Sequence, residues 1–476
     1  MTKTILLLTL LSSLSGPSSA AEGRPNVIVM LTDDQGWADI GYNNPKVYTP
    51  NLDKLAAEGA TFTQHYVMPQ CTPTRIAFFT GRYPGRFGPA GLKATNGPVF
   101  PHGTFNVARL FKNAGYHTAL IGKWHMGCSP EHGPNHHGFD YSYGALAGAV
   151  GNYDHRYRPN NPFEVSWHRN LEIIPGYENG THTTDLVAQD AIRFLKKSHP
   201  EPFFLFLPFF APHTPLDERG EFTDTPTQLD PDNPQRWLNE DHIPWFHDPD
   251  GKIQQEPDPE KRLFLAVLHH LDHSIGQIIA ALDESGHRDN TLILFSSDNG
   301  PQVNWPGNAY PDDLKLTDAN QPDTLRGSKT DTWEGGIHVP GFANWPAKIS
   351  PGLKLDNPLH IIDWLPTLAA LTRQSTPARH HLDGLNLLPL LLQETTTLPP
   401  RSLYWLWNTK PSKWALRHGD WKIVKSGKGE PKLRDWQLFN LKNDPSETTN
   451  LAKTHPHKVQ ALHQQFLIHR HKDRPK

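Results

Sequence analysis

Two short polar clusters, each directly after an apolar run, have the chemistry to hold a metal ion: Asp33-Asp34 and Asp298-Asn299. Either pair alone has the composition of a turn or a helix cap. If the pairs meet, their three carboxylates repel one another unless a cation lies among them. Because carboxylate and amide oxygens without a thiolate suit a hard ion, we expect Ca²⁺, with Mg²⁺ the weaker candidate.

Three cationic residues and two histidines have the chemistry to bind an anion at the same place: Arg75, Lys123, His125, His213 and Lys329. The sequences GKWH and PHTP, which hold Lys123, His125 and His213, each adjoin an apolar run. A single histidine in such a loop is more often a hydrogen-bonded packing residue than a functional one. Around a hard cation, however, the whole set predicts a crevice that binds a tetrahedral oxyanion ester.

Cys71 opens the stretch CTPTRIAFFTGR, and the only other cysteine of the chain is Cys128. In an oxidising compartment, a disulfide between the two is the simplest expectation. Pro73 suits the first turn of a helix, which would put the Cys71 side chain at the positive end of the helix dipole. A thiolate nucleophile is chemically possible there, but a thiolate beside a hard ion is a poor match.

The elements that must position these residues alternate along the chain. Near-continuous apolar runs, typical of strands buried on both faces, cover residues 26–31, 118–121, 202–210 and 291–295. Helical patterns cover residues 49–59, 104–115, 183–197 and 260–286. The alternation predicts an α/β fold with a mostly parallel sheet that is sandwiched by helices. Since ligands bind at the carboxyl ends of such strands, all the polar clusters should meet at one edge of the sheet.

Three segments depart from this alternation. Residues 1–21 combine a basic start, a short apolar run and small residues before a cleavage site, which is typical of a secretory signal peptide. Residues 214–259 are rich in proline and aspartate and predict an irregular excursion over the same edge. After residue 395, apolar and polar residues alternate as in a small antiparallel sheet, and a helix follows. We therefore predict a signal peptide (1–21), a main α/β domain (22–395) and a C-terminal α+β subdomain (396–476).

The overall charge and hydropathy exclude some classes of partner. The formal charge is −3 and the sequence pI is about 6.8, so no global field would attract nucleic acid or an anionic membrane. No apolar run is long enough to span a bilayer. With the leader, the composition predicts an exported protein, periplasmic or secreted, that has a local anion site, no nucleic-acid partner and no membrane span.

Several motifs together resemble those of the type I sulfatase family. CTPTR followed by TGR, in residues 71–82, resembles the signature in which a maturation enzyme oxidises the cysteine to Cα-formylglycine. The other matching stretches are RPNVIVMLTDDQGW (24–37), TPNLDKLAAEG (49–59), IGKWHMG (121–127), GFD (138–140), PHTP (212–215), SSDNG (296–300), LRGSKTDTWEGGIHVP (325–340), LDGLNLLPLL (382–391) and LFNLKNDPSETTNL (438–451). Together they cover nearly the whole chain after the leader.

The resemblance implies an alkaline-phosphatase-like fold with a mixed, mostly parallel sheet. It also implies that calcium is bound by Asp33, Asp34, Asp298 and Asn299. Cys71, oxidised to formylglycine and hydrated, would be the nucleophile. A hydrated aldehyde offers two hydroxyls on one carbon: one attacks sulfur, and loss of the proton of the other releases sulfate. A plain serine would instead be left as a stable sulfate ester.

The resemblance gives the remaining candidates roles as well. Arg75 and Lys123 would hold the formylglycine hydroxyls, and His125 would act on the second hydroxyl. His213 and Lys329 would contact the sulfate and the leaving oxygen.

The chain departs from the family pattern at three positions. Thr74 stands where the signature usually has serine, and Phe79 where it usually has leucine. Both could affect how efficiently the maturation enzyme acts. His338 stands where many members have arginine, which could affect substrate binding.

The sequence thus predicts an exported sulfatase that hydrolyses a sulfate monoester on a sulfated small molecule or oligosaccharide, with sulfated carbohydrate as the expected class. A phosphonate or phosphate ester hydrolase of the same superfamily is one alternative. A non-catalytic binder of sulfated glycans with unmodified Cys71 is another. Aromatic and charged residues in loops 151–170 and 303–313 could bind sugar rings, although ordinary loop packing explains them equally well.

Overall fold

The computed structural model describes residues 23–158, 160–174, 179–219, 227–303, 325–407 and 412–474. The predicted signal peptide and residues 304–313 of the second predicted sugar-binding loop lie outside this part of the chain. Among the helices of the described ranges, none combines the length and apolar character that crossing a bilayer requires.

A mixed sheet of ten strands forms the centre of the molecule, and two further strands of this part of the chain pair with each other. The strands, in chain order, are β1 (Asn26–Thr32), β2 (Ala60–Phe62), β3 (His65–Tyr66), β4 (His117–Ile121), β5 (Tyr141–Ala145), β6 (Trp167–Arg169), β7 (Glu172–Ile173), β8 (Phe203–Pro208), β9 (Thr291–Ser297), β10 (Gly341–Asn344), β11 (Leu353–Leu355) and β12 (Leu359–His360). The large sheet has the order β11-β2-β10-β9-β1-β8-β4-β5-β6-β7, and β3 pairs separately with β12.

The five central strands β9, β1, β8, β4 and β5 are parallel, whereas β10 and β6 run antiparallel to their neighbours. Every residue of β1, β8 and β9 is buried, which explains their near-continuous apolar sequences. The four predicted strands are therefore present, and they are the core of the sheet. The predicted mixed, mostly parallel sheet is confirmed.

Helices cover the sheet in two groups. The helices are α1 (Pro50–Ala57), α2 (Cys71–Thr80), α3 (Val107–Asn113), α4 (Thr183–Leu195), α5 (Pro259–Glu284), α6 (Glu334–Ile337), α7 (Trp364–Leu371), α8 (Leu388–Leu391) and α9 (Pro456–His471). Helices α1 and α4 pack on α5, while α2, α3 and α7 pack on one another. This arrangement is what an α/β sandwich requires, since each sheet face must be covered.

A small antiparallel sheet follows the main domain. It consists of β13 (Ser402–Trp407), β14 (Ser412–His418), β15 (Trp421–Gly427) and β16 (Gln437–Asn440), and α9 packs against it. Trp405 Nε1 donates to Val67 O at 2.8 Å, so the small sheet is tied to the segment just before α2. The predicted antiparallel sheet plus helix is thus present, and the domain boundary at residue 395 stays a prediction.

Candidate active site

The two acidic clusters meet because their strands are neighbours. Thr32 at the end of β1 is in register with Ser297 at the end of β9, so Asp34 and Asp298 leave the sheet side by side. Asp34 N lies 3.4 Å from Asp298 Oδ1, and Asn299 Nδ2 donates to Asp34 Oδ1 at 2.7 Å. Parallel neighbours in register therefore bring together residues that are 264 positions apart in the sequence.

The strand on the other side of β1 leads to His213, and the next strand, β4, leads to Lys123. Gly122, which has φ of +132°, turns the chain at the end of β4, and a Cβ there would lie 2.0 Å from Pro208 O. This turn places Lys123 Nζ in contact with the Asp33 carboxylate. His213 Nε2 lies 3.7 Å from Asp34 Oδ2, and its Nδ1 is held by Thr214 O at 2.5 Å.

Helix α2 begins at Cys71, as the position of Pro73 predicts, and it lies against the end of β4. Thr72 Oγ1 donates to His125 O at 3.2 Å. The Cys71 side chain is buried, and its charge environment includes Lys123 and Lys329. Cys71 thus faces the same crevice as the strand-end residues. Among the described residues both cysteines are free, so the alternative of a Cys71–Cys128 disulfide is not realised.

The positively charged side chains of the site form ion pairs with its carboxylates. Arg75 Nη2 lies 3.0 Å from Asp298 Oδ2 and 3.5 Å from Asp33 Oδ2, and its Nη1 donates to the carbonyl of residue 123 at 2.7 Å. Lys329 Nζ donates to Asp34 at 2.8 Å. All of these side chains are buried, so their charges interact at close range with little solvent screening.

The acidic groups have unequal proton affinities. Burial raises the pKa of Asp298 to about 7, and the negative charge of Asp33 adds to this effect. Burial would also raise the pKa of Asp33, but Lys123, His213 and Arg75 outweigh it and hold that pKa well below its ordinary value. The buried carboxylate of Asp298 thus holds its proton more tightly than that of Asp33 does, because burial and the nearby Asp33 charge both disfavour its ionised form.

Burial also sets the protonation of the remaining groups. It raises the pKa of the Cys71 thiol to about 11, against the opposing effect of Lys123 and Lys329. An unmodified Cys71 is therefore a neutral thiol at pH 7 and a weak nucleophile. Burial, with nearby lysine charges, lowers the pKa of His213 to about 4 and that of His125 well below its ordinary value. Both imidazoles are neutral and can accept a proton.

The backbone at two of these residues is unusual. Asp34 has φ of +67° and His125 has φ of +55°, both in the left-handed region that non-glycine residues rarely adopt. Gly148 approaches the His125 ring so closely that a Cβ there would lie 2.1 Å from Nε2. Local strain of this kind persists only where the surroundings fix it, and it clusters at functional sites.

The donor set fits a hard metal ion. Among the described residues, Asp33 Oδ1 and Asn299 Oδ1 are buried oxygens with no hydrogen-bond partner. One ligand atom each of Asp33, Asp34 and His213 lie within 4.8 Å of one another. Carboxylate and amide oxygens dominate this set, which is the chemistry that Ca²⁺ and Mg²⁺ require. The unpartnered oxygens and the raised pKa of Asp298 are both what such an ion would relieve.

The three departures from the family pattern have structural partners. Thr74 Oγ1 accepts from Met68 N at 3.0 Å and donates to Met68 O at 3.1 Å, bonds that a serine hydroxyl would also make. Phe79 is buried against Trp124 and Phe206. His338 stacks on Tyr66 at 5.1 Å, and its Nε2 lies 3.0 Å from Thr63 O. His338 Nδ1 also lies 3.5 Å from Glu334 Oε2, so the contacts found at His338 are stacking and polar contacts within the protein.

Several side chains of loop 151–170 also make contacts within the protein. Tyr153 OH donates to Arg219 O at 2.9 Å, and His155 Nε2 lies 2.8 Å from Thr181 O. Trp167 is buried, and Arg169 pairs with Asp190 at 3.1 Å. These residues pack within the protein, whereas Arg156 and Arg158 of the same loop are exposed, so both interpretations of the loop stay predictions.

Sequence reasoning missed the contribution of the C-terminal sheet to the site. Gln70, the residue before Cys71, accepts from Trp407 Nε1 at 2.9 Å and from Ala94 N at 2.8 Å. The end of β13 therefore lies next to the start of α2. Nothing in the spacing of these residues indicates the contact, since it joins positions 337 apart in the chain.

Comparison with known proteins agrees with the geometry. The family model described as Sulfatase matches residues 25–374, and one described as N-sulphoglucosamine sulphohydrolase, C-terminal, matches residues 328–472. The N-acetylgalactosamine-6-sulfatase of Rattus norvegicus is 32% identical over 407 residues, which cover 82% of this chain and 70% of that protein.

Solved structures are similar over the same extent. Ps i-CgsB in complex with k-i-k-neocarrahexaose has a TM-score of 0.76 and 29% identity, covering 95% of this chain and 94% of that chain. The phosphonate monoester hydrolase of Agrobacterium radiobacter has a TM-score of 0.65 and 20% identity, covering 95% and 96%, which shows a shared fold alone. The family model spans most of the chain and the rat enzyme exceeds 30% identity. The chain therefore belongs to the sulfatase family of sulfuric ester hydrolases.

Proposed function

We propose that this protein is an exported sulfatase that removes a sulfate monoester from a carbohydrate, with residue 71 as formylglycine and a calcium ion in the site. The observation that carries this proposal is the convergence of three carboxylates, Asn299 and the site cations on the start of α2. Such a crevice suits an ester whose leaving oxygen and sulfuryl oxygens gain negative charge during reaction.

The proposal that the substrate is a sulfated carbohydrate is supported by the protein's relatives. The rat relative is named for N-acetylgalactosamine 6-sulfate, and Ps i-CgsB was crystallised with a neocarrahexaose. Both are proteins whose names or ligands involve sugars, and both match most of this chain. A screen of sulfated mono- and oligosaccharides that differ in sugar and sulfate position would identify the substrate.

Asp33, Asp34, Asp298 and Asn299 are the proposed ligands of the calcium ion. When bound, the ion would supply positive charge that offsets the three carboxylates and makes a nearby hydroxyl more acidic. The site cations hold the same carboxylates in place. We expect chelation to abolish activity and added Ca²⁺ to restore it better than Mg²⁺.

Residue 71 lies at the N-terminus of α2, where backbone N–H groups favour negative charge. When oxidised and hydrated, it supplies one hydroxyl that attacks sulfur and a second whose proton must leave as sulfate is released. Lys123, which borders both Asp33 and Cys71, is placed to orient these hydroxyls.

The neutral imidazoles complete the chemistry. We assign His125 as the base that takes the proton of the second hydroxyl, because burial keeps its ring uncharged and Thr72 ties its backbone to α2. We assign His213 and Lys329 to hold the sulfuryl oxygens and the leaving oxygen, and their position beside Asp34 supports this assignment. Fixed groups in a buried site stabilise developing charge without reorganising.

Intact mass of the exported protein tests the nucleophile directly. The proposal predicts that residue 71 of wild-type protein loses one sulfur and two hydrogens and gains one oxygen, which is the change from cysteine to the formylglycine aldehyde. Cys71→Ala protein should show no such change and should have no activity on an aryl sulfate. Cys128→Ala is the matched control, since the buried Cys128 thiol bonds to Leu146 O at 2.8 Å and to Asn96 Oδ1 at 3.1 Å, and this variant should keep the mass change. An active Cys71→Ala variant would refute the assignment.

Two alternatives give different results in the same experiments. A glycan binder would have an unmodified Cys71 and no turnover. A phosphonate or phosphate ester hydrolase would cleave an aryl phosphonate or phosphate faster than the aryl sulfate. The set of Lys123, His125, His213 and Lys329, together with the export-like leader, favours sulfate.

A further inference from the structure

Four histidines that the proposed reaction does not use lie together at the surface and just below it: His102, His132, His136 and the buried His137, which we call the histidine cluster. His102 Nε2 lies 3.0 Å from His132 Nδ1. The His102 ring stacks on His136 with centroids 5.6 Å apart and meets the His137 ring edge-on at 5.3 Å. Two sequence segments that are about 30 residues apart thus present imidazoles to one another.

We infer that the histidine cluster is a binding site for a divalent metal ion of the zinc class, with His102 Nε2 and His132 Nδ1 as its two nitrogen ligands. Zinc binds imidazole nitrogens at about 2.0–2.1 Å in tetrahedral geometry, which puts two ligand nitrogens about 3.3 Å apart. The two ring nitrogens are 3.0 Å apart, so a shift of a few tenths of an ångström would admit the ion.

The two nitrogens are chemically ready for a metal. Their hydrogen bond requires that at least one of them be an unprotonated acceptor, since two N–H groups could not face each other at this distance. Binding an ion would replace this one hydrogen bond with two metal–nitrogen bonds, and the donor ring would then carry its proton on its other nitrogen. Imidazole is a ligand that Zn²⁺, Cu²⁺ and Ni²⁺ prefer, in contrast to the oxygen donors of the active site.

The site is accessible to solvent, so water can supply the remaining ligands of the ion. His102, His136 and Glu131 are exposed, and His132 is half-buried. An ion could enter from solvent without any opening of the fold.

Metal binding here would fasten two segments that border α2 and the end of β4. The segment before His102 contacts the start of α2, since Thr95 N donates to Thr72 Oγ1 at 3.3 Å. His132 O accepts from Trp124 Nε1 at 2.9 Å, next to His125. We therefore expect the ion to stabilise the folded protein, because it binds a pair of residues that is assembled only in the native state.

The test uses untagged, calcium-saturated protein and equilibrium dialysis against Zn²⁺. Wild-type protein should bind one more zinc ion than His102→Ala or His132→Ala protein, or bind it at least about 10-fold more tightly, since losing even an outer partner of a ligand has that effect. The matched control is His457→Gln, an exposed histidine on α9, which should bind as wild type does.

Two further readouts separate this site from the active site. Zinc should raise the melting temperature of wild-type and His457→Gln protein but not of His102→Ala protein. With Cu²⁺, electron paramagnetic resonance should show coupling to imidazole nitrogen that His102→Ala and His132→Ala each diminish. If both alanine variants bind zinc and copper as wild type does, the inference is wrong, and the metal occupies other donors.

Discussion

At the scale of single residues, Asp34 carries an unusual share of the contacts. Its carboxylate accepts from Lys329 and Asn299 and lies near His213, while its backbone has the left-handed conformation. The Asp34 carboxylate thus helps to position Lys329, Asn299 and His213. Substituting one partner should affect charge and position together, so the two effects must be separated by control variants.

Lys329→Ala should lower kcat on an aryl sulfate by about 10²-fold to 10³-fold, because it removes a fixed positive charge from the developing negative charge. Lys348→Ala, at an exposed lysine outside the site, should leave kcat unchanged. Steady-state kinetics of both variants at saturating substrate would check this. An unchanged kcat for Lys329→Ala would remove this residue from the proposed chemistry.

His125→Gln should separate the two halves of the reaction. Without the base, the alcohol product should still form once, and the steady-state rate should then fall by about 10²-fold to 10⁴-fold. Rapid-mixing measurement should therefore show a burst of close to one alcohol per site. A uniformly slow reaction with no burst would assign His125 to the first half instead.

At the scale of elements, a buried ion cluster joins α4, α5 and the segment after His213. His270 of α5 lies 2.9 Å from Glu218 Oε2 through Nδ1 and 2.9 Å from Asp185 Oδ1 through Nε2. His182 Nε2 lies 3.4 Å from Glu218 Oε1, and its Nδ1 accepts from Thr184 N at 3.2 Å. His270 is therefore the cation of this cluster, whereas among the described residues His182 Nε2 and Glu218 Oε1 have no hydrogen-bond partner.

This cluster should make stability depend on pH. Burial alone would lower the pKa of His270, but the Glu218 charge and the bonds to both carboxylates raise it to about 9, above the ordinary value of 6.5. The contribution is therefore fully present below pH 6.5 and is lost as pH rises through 9. The free energy of unfolding of His270→Gln should lie below that of wild type at pH 6.5, by at most about 3 kcal/mol.

Urea unfolding at several pH values would measure this difference, which should shrink towards pH 9.5. His273→Gln, at an exposed histidine one turn further along α5, is the matched control and should follow wild type. A constant gap between His270→Gln and wild type from pH 6 to 9.5 would show that His270 acts only through packing on Trp245, whose ring it stacks on at 4.0 Å.

The elements that place the candidate site were largely predictable from sequence. Buried parallel strands have recognisable apolar runs, and the polar clusters follow them directly, so β1, β4, β8 and β9 could be found. Strand order was not predictable, because β10 and the short β11 and β2 have little sequence signal and pair with distant partners. The contact of Trp407 with Gln70 has no local signal at all.

At the scale of the whole molecule, buried charges join the main domain to the C-terminal sheet. Lys422 Nζ of β15 lies 2.7 Å from Glu334 Oε1 and 3.0 Å from Glu447 Oε1, and all three side chains are buried. Burial and the charge of Glu334 raise the pKa of Glu447 to about 7, although Lys422 opposes this. Lys422 thus pairs with two carboxylates from different parts of the chain.

Lys422→Met should destabilise the protein by about 3–5 kcal/mol, since it leaves two buried carboxylates without their shared cation. Lys442→Met, at an exposed lysine of the same subdomain, should have little effect. Chemical denaturation at pH 7.5 would measure both variants. Equal stability of Lys422→Met and wild type would show that the two parts of the molecule are held mainly by apolar packing.

The deep position of residue 71 has a consequence for the order of events in biosynthesis. Cys71 is 2% exposed, and every residue of α2 is buried. A modifying enzyme must bind the cysteine together with its neighbours, and none of these residues is accessible in the folded protein. The proposed oxidation therefore has to precede folding. A chain that folds first would keep an unmodified Cys71 and lack the proposed nucleophile. The modifying enzyme must therefore act on the nascent, unfolded polypeptide.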